Sequence, residues 1–303
     1  MESLYSGSSA MALRTGATVQ VRTTPLPGRA CKCLLLHGNP GSLEDWSAVV
    51  PRLAKSVDIA AFDMPGFGRS ARTEASAEGL DLDRLAEHAL AVADALTWQD
   101  PFVLVGHSHG GGVAQAVAAR YPHRVAGLVL VSTLGVPAHR SYRLLSLPGS
   151  SALAQLAGRL FRHASVRGLS RRILRAMMQD AFSPEPVPDE RLDRELALYA
   201  ERPEVLRSMV QVTLGRPCSR LSIFARQIQC PVLFLHGTQD AVVPIEHART
   251  VHDLLLNAGQ PSEFQRFEGS GHMLLQFQAE QVAEWVARFV AEANHGARVA
   301  GES

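Results

Sequence analysis

An apolar run, Phe102-Val-Leu-Val105, leads without a break into Gly106-His-Ser-His-Gly110, and a small-residue helical stretch, Val113–Arg120, follows at once. A serine at the apex of such a strand-to-helix turn takes up a strained backbone conformation, and glycines beside it let the two elements close together. The turn lifts the Ser108 hydroxyl above the sheet and aims the N-terminus of the following helix, with its N–H groups, at whatever the hydroxyl attacks. A bare G-x-S-x-G arises by chance; with a strand before it and a helix after it, the pattern constrains both fold and chemistry. The alternative is a glycine-rich turn with an idle serine.

The rest of the chain repeats the strand–helix alternation. Short apolar runs at Cys33–His37, Val57–Phe62, Phe102–Val105, Val125–Ser132, Val232–His236 and Glu263–Phe267 read as strands, with an opening pair around Ala17–Arg22. Between them lie helical stripes. Trp46, Val49, Val50 and Leu53 fall at i, i+3, i+4 and i+7 behind a Ser42/Asp45 capping box, and Leu82/Leu85/Ala86/Ala89 and Val282/Trp285/Val286/Phe289 repeat the spacing. This predicts an α/β fold, a mostly parallel, doubly wound sheet with helices on both faces. From about Gly135 to Gln229 the strand pattern stops and helical stripes take over, which reads as a helical cap inserted between two strands. The expected organisation is a tail over 1–14, a core over 15–134 and 230–293, a cap over 135–229 and a fraying tail over 294–303.

Composition narrows the function classes. Apolar residues make up 46% and charged residues 19% of 303, which suits a globular chain and excludes disorder, collagen and coiled coil. The formal charge of +1 argues against nucleic acid as a partner. No apolar run is long enough to span a bilayer, and residues 1–10 show no secretory pattern, so the expected location is the cytoplasm. Cys31 and Cys33 point to one face of a strand, and without a second Cys/His cluster at ligand spacing they predict no metal site.

Serine needs a base and the base needs a carboxylate. His272, in Glu268-Gly-Ser-Gly-His-Met273, follows the last strand candidate, where glycines let a ring reach over the sheet edge. Asp240 follows the strand before it, in Leu235-His-Gly-Thr-Gln-Asp240. The order Ser108, Asp240, His272 resembles that of the α/β-hydrolase superfamily rather than the trypsin or subtilisin order. The resemblance spans about residues 15–293 and includes Leu36-His-Gly-Asn-Pro-Gly-Ser42 and Asp63-Met-Pro-Gly-Phe-Gly-Arg-Ser70. It implies catalytic Ser108, Asp240 and His272, an oxyanion hole from the backbone N–H groups of Asn39 and His109, and no cofactor. The His-Gly-Asn-Pro segment with Trp46 resembles haloalkane dehalogenases and epoxide hydrolases, but those attack with aspartate, and Ser108 departs from them. The implied activity is hydrolysis of a small-molecule ester, thioester or lactone through an acyl-serine. The alternatives are a carbon–carbon bond hydrolase, a cofactor-free lyase or a non-catalytic receptor on the same fold.

Other residues carry two readings each. Asp63, His37 and His236 read as structural, His107 as commonplace at its position, and Asp45, Glu44 and Asp100 as surface. His109 is a candidate for lining the pocket. Met177, Met178, Phe161 and Met209 read as core or as walls of an acyl pocket. From Pro101 to Gln179 there are ten arginines and no acid. These read as a solvated face, as an entrance for an anionic substrate such as a CoA or carrier-protein thioester, or as a contact with an anionic membrane.

Overall fold

The computed structural model describes residues 7–24, 31–71, 80–136, 147, 149–161, 163, 167–214 and 216–301, with side chains through residue 293. Among the described residues eight strands form one sheet: β1 (Ser9–Ala12), β2 (Thr18–Thr24), β3 (Lys32–Leu36), β4 (Asp58–Phe62), β5 (Phe102–His107), β6 (Val125–Val131), β7 (Val232–Gly237) and β8 (Ser262–Phe267). The spatial order is β1-β2-β4-β3-β5-β6-β7-β8, antiparallel from β1 through β4 and parallel from β4 to β8.

Successive side chains of a strand point to opposite faces, and both faces here are covered, so the central strands are apolar throughout. Leu34, Leu36, Leu104, Leu128, Leu130 and Phe234 belong to one core cluster. Their neighbours Leu35, Val103, Val105, Val129, Val131 and Leu235 belong to a second one on the other face. Helices 82–95 and 109–120 cover the first face, and the C-terminal helix 279–301 covers the second through Val282, Val286 and Phe289.

After β3 the chain moves outward to β4, then returns to place β5 on the other side of β3. In an open parallel sheet, such a reversal leaves a crevice beyond the carboxyl ends of the two strands, because their following loops diverge. The loop after β3 begins at His37 and the loop after β5 holds Ser108, so topology alone brings these two segments together. Between β6 and β7 the described residues are helical: 150–160, 167–182, 189–201, 204–214 and 218–225.

Two terminal expectations differ from the structure. Ser9–Ala12, assigned to a tail, pairs with β2 as an edge strand; it is short and mostly exposed, so it carries no apolar alternation to read. The last helix runs on to Gly301, past the boundary expected at 293.

Close packing at the β5 turn depends on two glycines. A Cβ at Gly106 would lie 2.4 Å from the Gly110 carbonyl oxygen, and a Cβ at Gly110 would lie 2.3 Å from the Leu36 oxygen. These are backbone atoms that have nowhere to move. Gly106→Ala and Gly110→Ala are each expected to lose at least about 1–3 kcal/mol in chemical denaturation. Gly168→Ala is the control: nothing lies within 4 Å of its Cβ position, so its effect should range from neutral to a gain of up to about 1 kcal/mol.

Candidate active site

Ser108 has φ 52° and ψ −117°, a region that side-chain-bearing residues avoid, between the end of β5 and the helix 109–120. Backbone hydrogen bonds hold it there. The Ser108 N–H donates to the Val131 carbonyl at 2.9 Å, and the Ser108 carbonyl accepts from Gly111 at 3.0 Å and Leu134 at 3.2 Å. The strained turn is thus fastened to the end of β6 as well as to its own helix.

Asp240 lies in the loop after β7 and His272 in the loop after β8. The His272 Nδ1–H donates to Asp240 Oδ2 at 2.8 Å. The other carboxylate oxygen of Asp240 accepts from the N–H groups of Val242 and Val243 at 2.9 and 2.7 Å. The Nε2 of His236 stands 3.3 Å from Asp240 Oδ2 and 2.8 Å from the Val243 carbonyl. Burial works against the charge of this carboxylate, but His272 and His236 outweigh it and hold the carboxyl well below the usual range. A fixed anion therefore orients the His272 ring.

Ser108 and His272 line one cavity of about 440 Å³, together with Gly38, Asn39 and His107. Among the described residues no hydrogen bond joins the Ser108 hydroxyl to His272; the two groups face the same space. The Asn39 side chain ties the β3 loop to the inserted helices, its Nδ2 donating to the Met209 carbonyl at 3.1 Å. A Cβ at Gly271 would fall 1.7 Å from the Ser183 carbonyl oxygen, so the His272 loop also packs directly under the insert.

Other histidines and acids settle into bracing roles. His37 donates from Nδ1 to the Gly38 carbonyl and accepts at Nε2 from Met64 N–H, linking the β3 and β4 loops. Asp63 accepts from the Leu43 and Arg69 N–H groups, 2.7 Å each, and burial pushes its carboxyl up. His109, a candidate for lining the pocket, is fully buried and its ring is outside the cavity wall; burial and then His37 push it down to about 3. His107, read as commonplace, stands beside His272 with ring centroids 5.0 Å apart, and its Nε2–H donates to the His272 carbonyl at 3.2 Å. Burial, and next the positive charge His272 can carry, push His107 down to about 3, so it remains a neutral donor.

The largest departure from the sequence reading is Asp45. Expected at the surface, its side chain is 4% exposed and pairs with Arg191, which also lies 2.8 Å from Glu195. Tyr199 donates a hydrogen bond to Glu195, and all four side chains reach the cavity wall. Burial opposes the Asp45 charge, but Arg191 and Arg194 hold its carboxyl below the usual range. The signal in the sequence was the i, i+4, i+8 spacing of Arg191, Glu195 and Tyr199, which puts polar groups on one stripe of a buried helix. The arginine run is also resolved in part. Arg120 pairs with Asp83 at 3.0 Å, Arg124 with Asp94 at 2.8 Å, and Arg171 with Asp189 at 2.9 Å, so acids from outside the run answer it. Arg140, Arg143 and Arg162 lie outside the described residues. No described arginine of that run lines the cavity. Among the described residues no helix is long and apolar enough to cross a membrane.

A family model for the alpha/beta hydrolase fold matches residues 34–279. A 2-hydroxymuconate semialdehyde hydrolase of a Pseudomonas species is 30% identical over 278 residues, covering 89% of this chain and 90% of that one. An uncharacterized protein of Mycobacterium tuberculosis is 30% identical over 287 residues, covering 89% of this chain and 78% of that one. In structure, a putative lipase from Acinetobacter baumannii superposes with TM-score 0.73 at 23% identity, over 96% of this chain and 92% of that one.

Two outcomes follow from the site geometry. Ser108→Gly should relieve the backbone strain that Ser108→Ala retains, leaving the glycine variant more stable by about 1 kcal/mol in urea denaturation. The two buried imidazoles, His107 and His109, set an acid limit. Their folded values lie near 3, below the unfolded value of 6.5, so between these pH values the unfolded state binds more protons and stability falls as pH falls. Each of the two imidazoles should contribute a slope approaching about 1.4 kcal/mol per pH unit, so His109→Gln should lower the total slope by about that amount, measured by denaturation from pH 7 to 4.

Proposed function

This chain belongs to the α/β-hydrolase fold family, and on that premise we propose that it is a serine hydrolase that cleaves carboxylic esters of small molecules through an acyl-serine intermediate. The observation that carries the reading is the shared cavity: Ser108 on its strained turn faces the same space as His272, whose other ring nitrogen is held by the Asp240 carboxylate at 2.8 Å.

The reading requires the Ser108 hydroxyl to reach His272 Nε2 across the cavity that both line. The hydroxyl attacks the substrate carbonyl carbon as its proton passes to Nε2, and the imidazolium is steadied by Asp240. The carbonyl oxygen gains negative charge and is met by the backbone N–H groups of Asn39, after β3, and His109, the first residue of the helix behind Ser108. A helix N-terminus adds a favourable dipole to such an anion. Collapse of the tetrahedral species breaks the bond to the leaving alcohol, which takes the proton from His272. Water then attacks the acyl-serine, His272 accepts its proton, and the acid departs as that proton returns to the Ser108 oxygen. His107 and His236 act through their neighbours: one fixes the His272 backbone, the other the carboxylate.

The acids in the cavity wall, Asp45, Asp180 and Glu195, outnumber its one arginine, Arg191, which pairs with Asp45 and Glu195. That excess of acid supports a neutral substrate over the anionic one weighed from the arginine run. A second reading, hydrolysis of a carbon–carbon bond in a vinylogous diketone, is favoured by the 30% identity to the 2-hydroxymuconate semialdehyde hydrolase. It uses the same three side chains.

A panel of p-nitrophenyl esters, lactones and vinylogous 1,5-diketones ranked by kcat/KM separates these readings. The proposal expects a p-nitrophenol burst, labelling by a fluorophosphonate, and loss of both in Ser108→Ala with kcat down at least about 10³-fold. Turnover of the diketones alone overturns the ester assignment. A chain that binds ligands but neither turns over substrate nor labels overturns catalysis altogether.

A further inference from the structure

The first two inserted helices carry apolar residues where solvent would favour polar ones. Leu153, Leu156 and Leu160 recur at i, i+3 and i+7 on helix 150–160, and Leu169, Ile173 and Met177 at i, i+4 and i+8 on helix 167–182. Their exposures run from 45% to 68%, and they are six of the eleven exposed large apolar side chains among the described residues. Both helices border a groove of about 360 Å³, with Met209 and Val210 also in its lining; Ser150 and Ser170 are the only polar residues among those described in the wall.

The groove does not end on the insert. Leu174, Met177, Leu206 and Met209 line both the groove and the cavity that holds Ser108 and His272. The groove and the cavity therefore share an apolar wall, which reaches the surface at Met177. Two of the four shared residues are methionines, whose flexible side chains conform to a chain of variable contour. A ligand occupying this path needs apolar surface along its length and polar atoms only at the end that reaches Ser108.

We propose that this groove binds the long unbranched acyl chain of the substrate, so that the ester carbonyl rests at Ser108 while the chain runs out between helices 150–160 and 167–182. The inference rests on the serine-hydrolase reading above and names the substrate class within it. The wall shared with the cavity of Ser108 selects the occupant: a second protein or a bilayer would cover the exposed leucines without requiring the groove to adjoin Ser108.

The test pairs turnover with a binding measurement that needs no catalysis. For p-nitrophenyl acetate, octanoate and laurate below their aggregation limits, kcat/KM should rise with chain length, by up to about fourfold for each methylene that enters the groove. Leu153→Asp and Ile173→Asp replace exposed side chains, so folding is retained. Each should lower kcat/KM for laurate about tenfold or more and leave acetate within about twofold. In Ser108→Ala, calorimetry with monomeric lauric and octanoic acids should show tighter binding of the longer acid, lost in the two aspartate variants. Chain-dependent binding without ester turnover would keep the groove and overturn the catalytic reading. Turnover without chain dependence would overturn the groove and keep the catalysis. Sedimentation of the wild-type protein with phosphatidylglycerol vesicles, with no chain dependence toward monomers, would assign the exposed leucines to a membrane contact and overturn the proposal.

Discussion

The backbone of Ser108 is the constraint on which the rest of the site depends. Holding a serine at φ 52° and ψ −117° costs about 1–3 kcal/mol, a cost that must be offset by the surrounding structure. The offset is visible in the hydrogen bonds to Val131, Leu134 and Gly111 and in the contact of Gly106 with Gly110 and of Gly110 with the end of β3. Each partner belongs to a different element: β6, its following loop, the helix and β3. The turn is therefore over-determined, and its hydroxyl sits at the one place where loops from β3 and β5 diverge.

From that point a short chain of side chains carries position outward. His107, adjacent to Ser108 in sequence, donates to the His272 carbonyl, so the strand that fixes the hydroxyl also fixes the imidazole loop. His107 does this because it stays neutral; a second protonated imidazole beside His272 would oppose the charge that His272 is positioned to take up. Asp240, by contrast, stays charged in a buried place because His272, His236 and two backbone N–H groups supply what water would have supplied. His107 and Asp240 are thus each stabilised in one protonation state by their surroundings.

How far the sequence was readable follows from how local each signal is. The strand–turn–helix around Ser108 and the two loops after β7 and β8 are local patterns, and glycine spacing records their backbone geometry directly. The central strands are legible for a related reason: buried parallel strands must be apolar on both faces. The role of Asp45 is not local. It forms the expected capping box with Ser42, and nothing within the 3₁₀ turn reveals that Arg191, 146 positions later, covers it. The arginine run misleads in the same way. Charge counted along the chain from Pro101 to Gln179 is positive, yet Asp83, Asp94 and Asp189 return to meet it in space. Edge strand Ser9–Ala12 lacks any burial pattern, and only its pairing defines it.

The Asp45–Arg191–Glu195 cluster raises a question of purpose that burial energetics sharpen. Removing charges from water costs several kcal/mol per ion, and well-packed apolar residues in their place are often neutral or better for stability. Stability alone is therefore a weak reason for this cluster. Its location supplies a better one. Asp45 belongs to the turn after β3 and Arg191 to the inserted helices, so a pair with directional geometry fixes how the insert sits over the loop that carries Asn39. An apolar contact would allow the same helix to slide. The same cavity wall then offers polar groups at Arg191, Glu195 and Tyr199 and apolar ones at Leu174 and Met177, and an amphiphile entering it meets two chemically distinct ends. With Ser108 and His272 in that wall, the molecule's orientation decides which of its bonds comes to lie beside the hydroxyl.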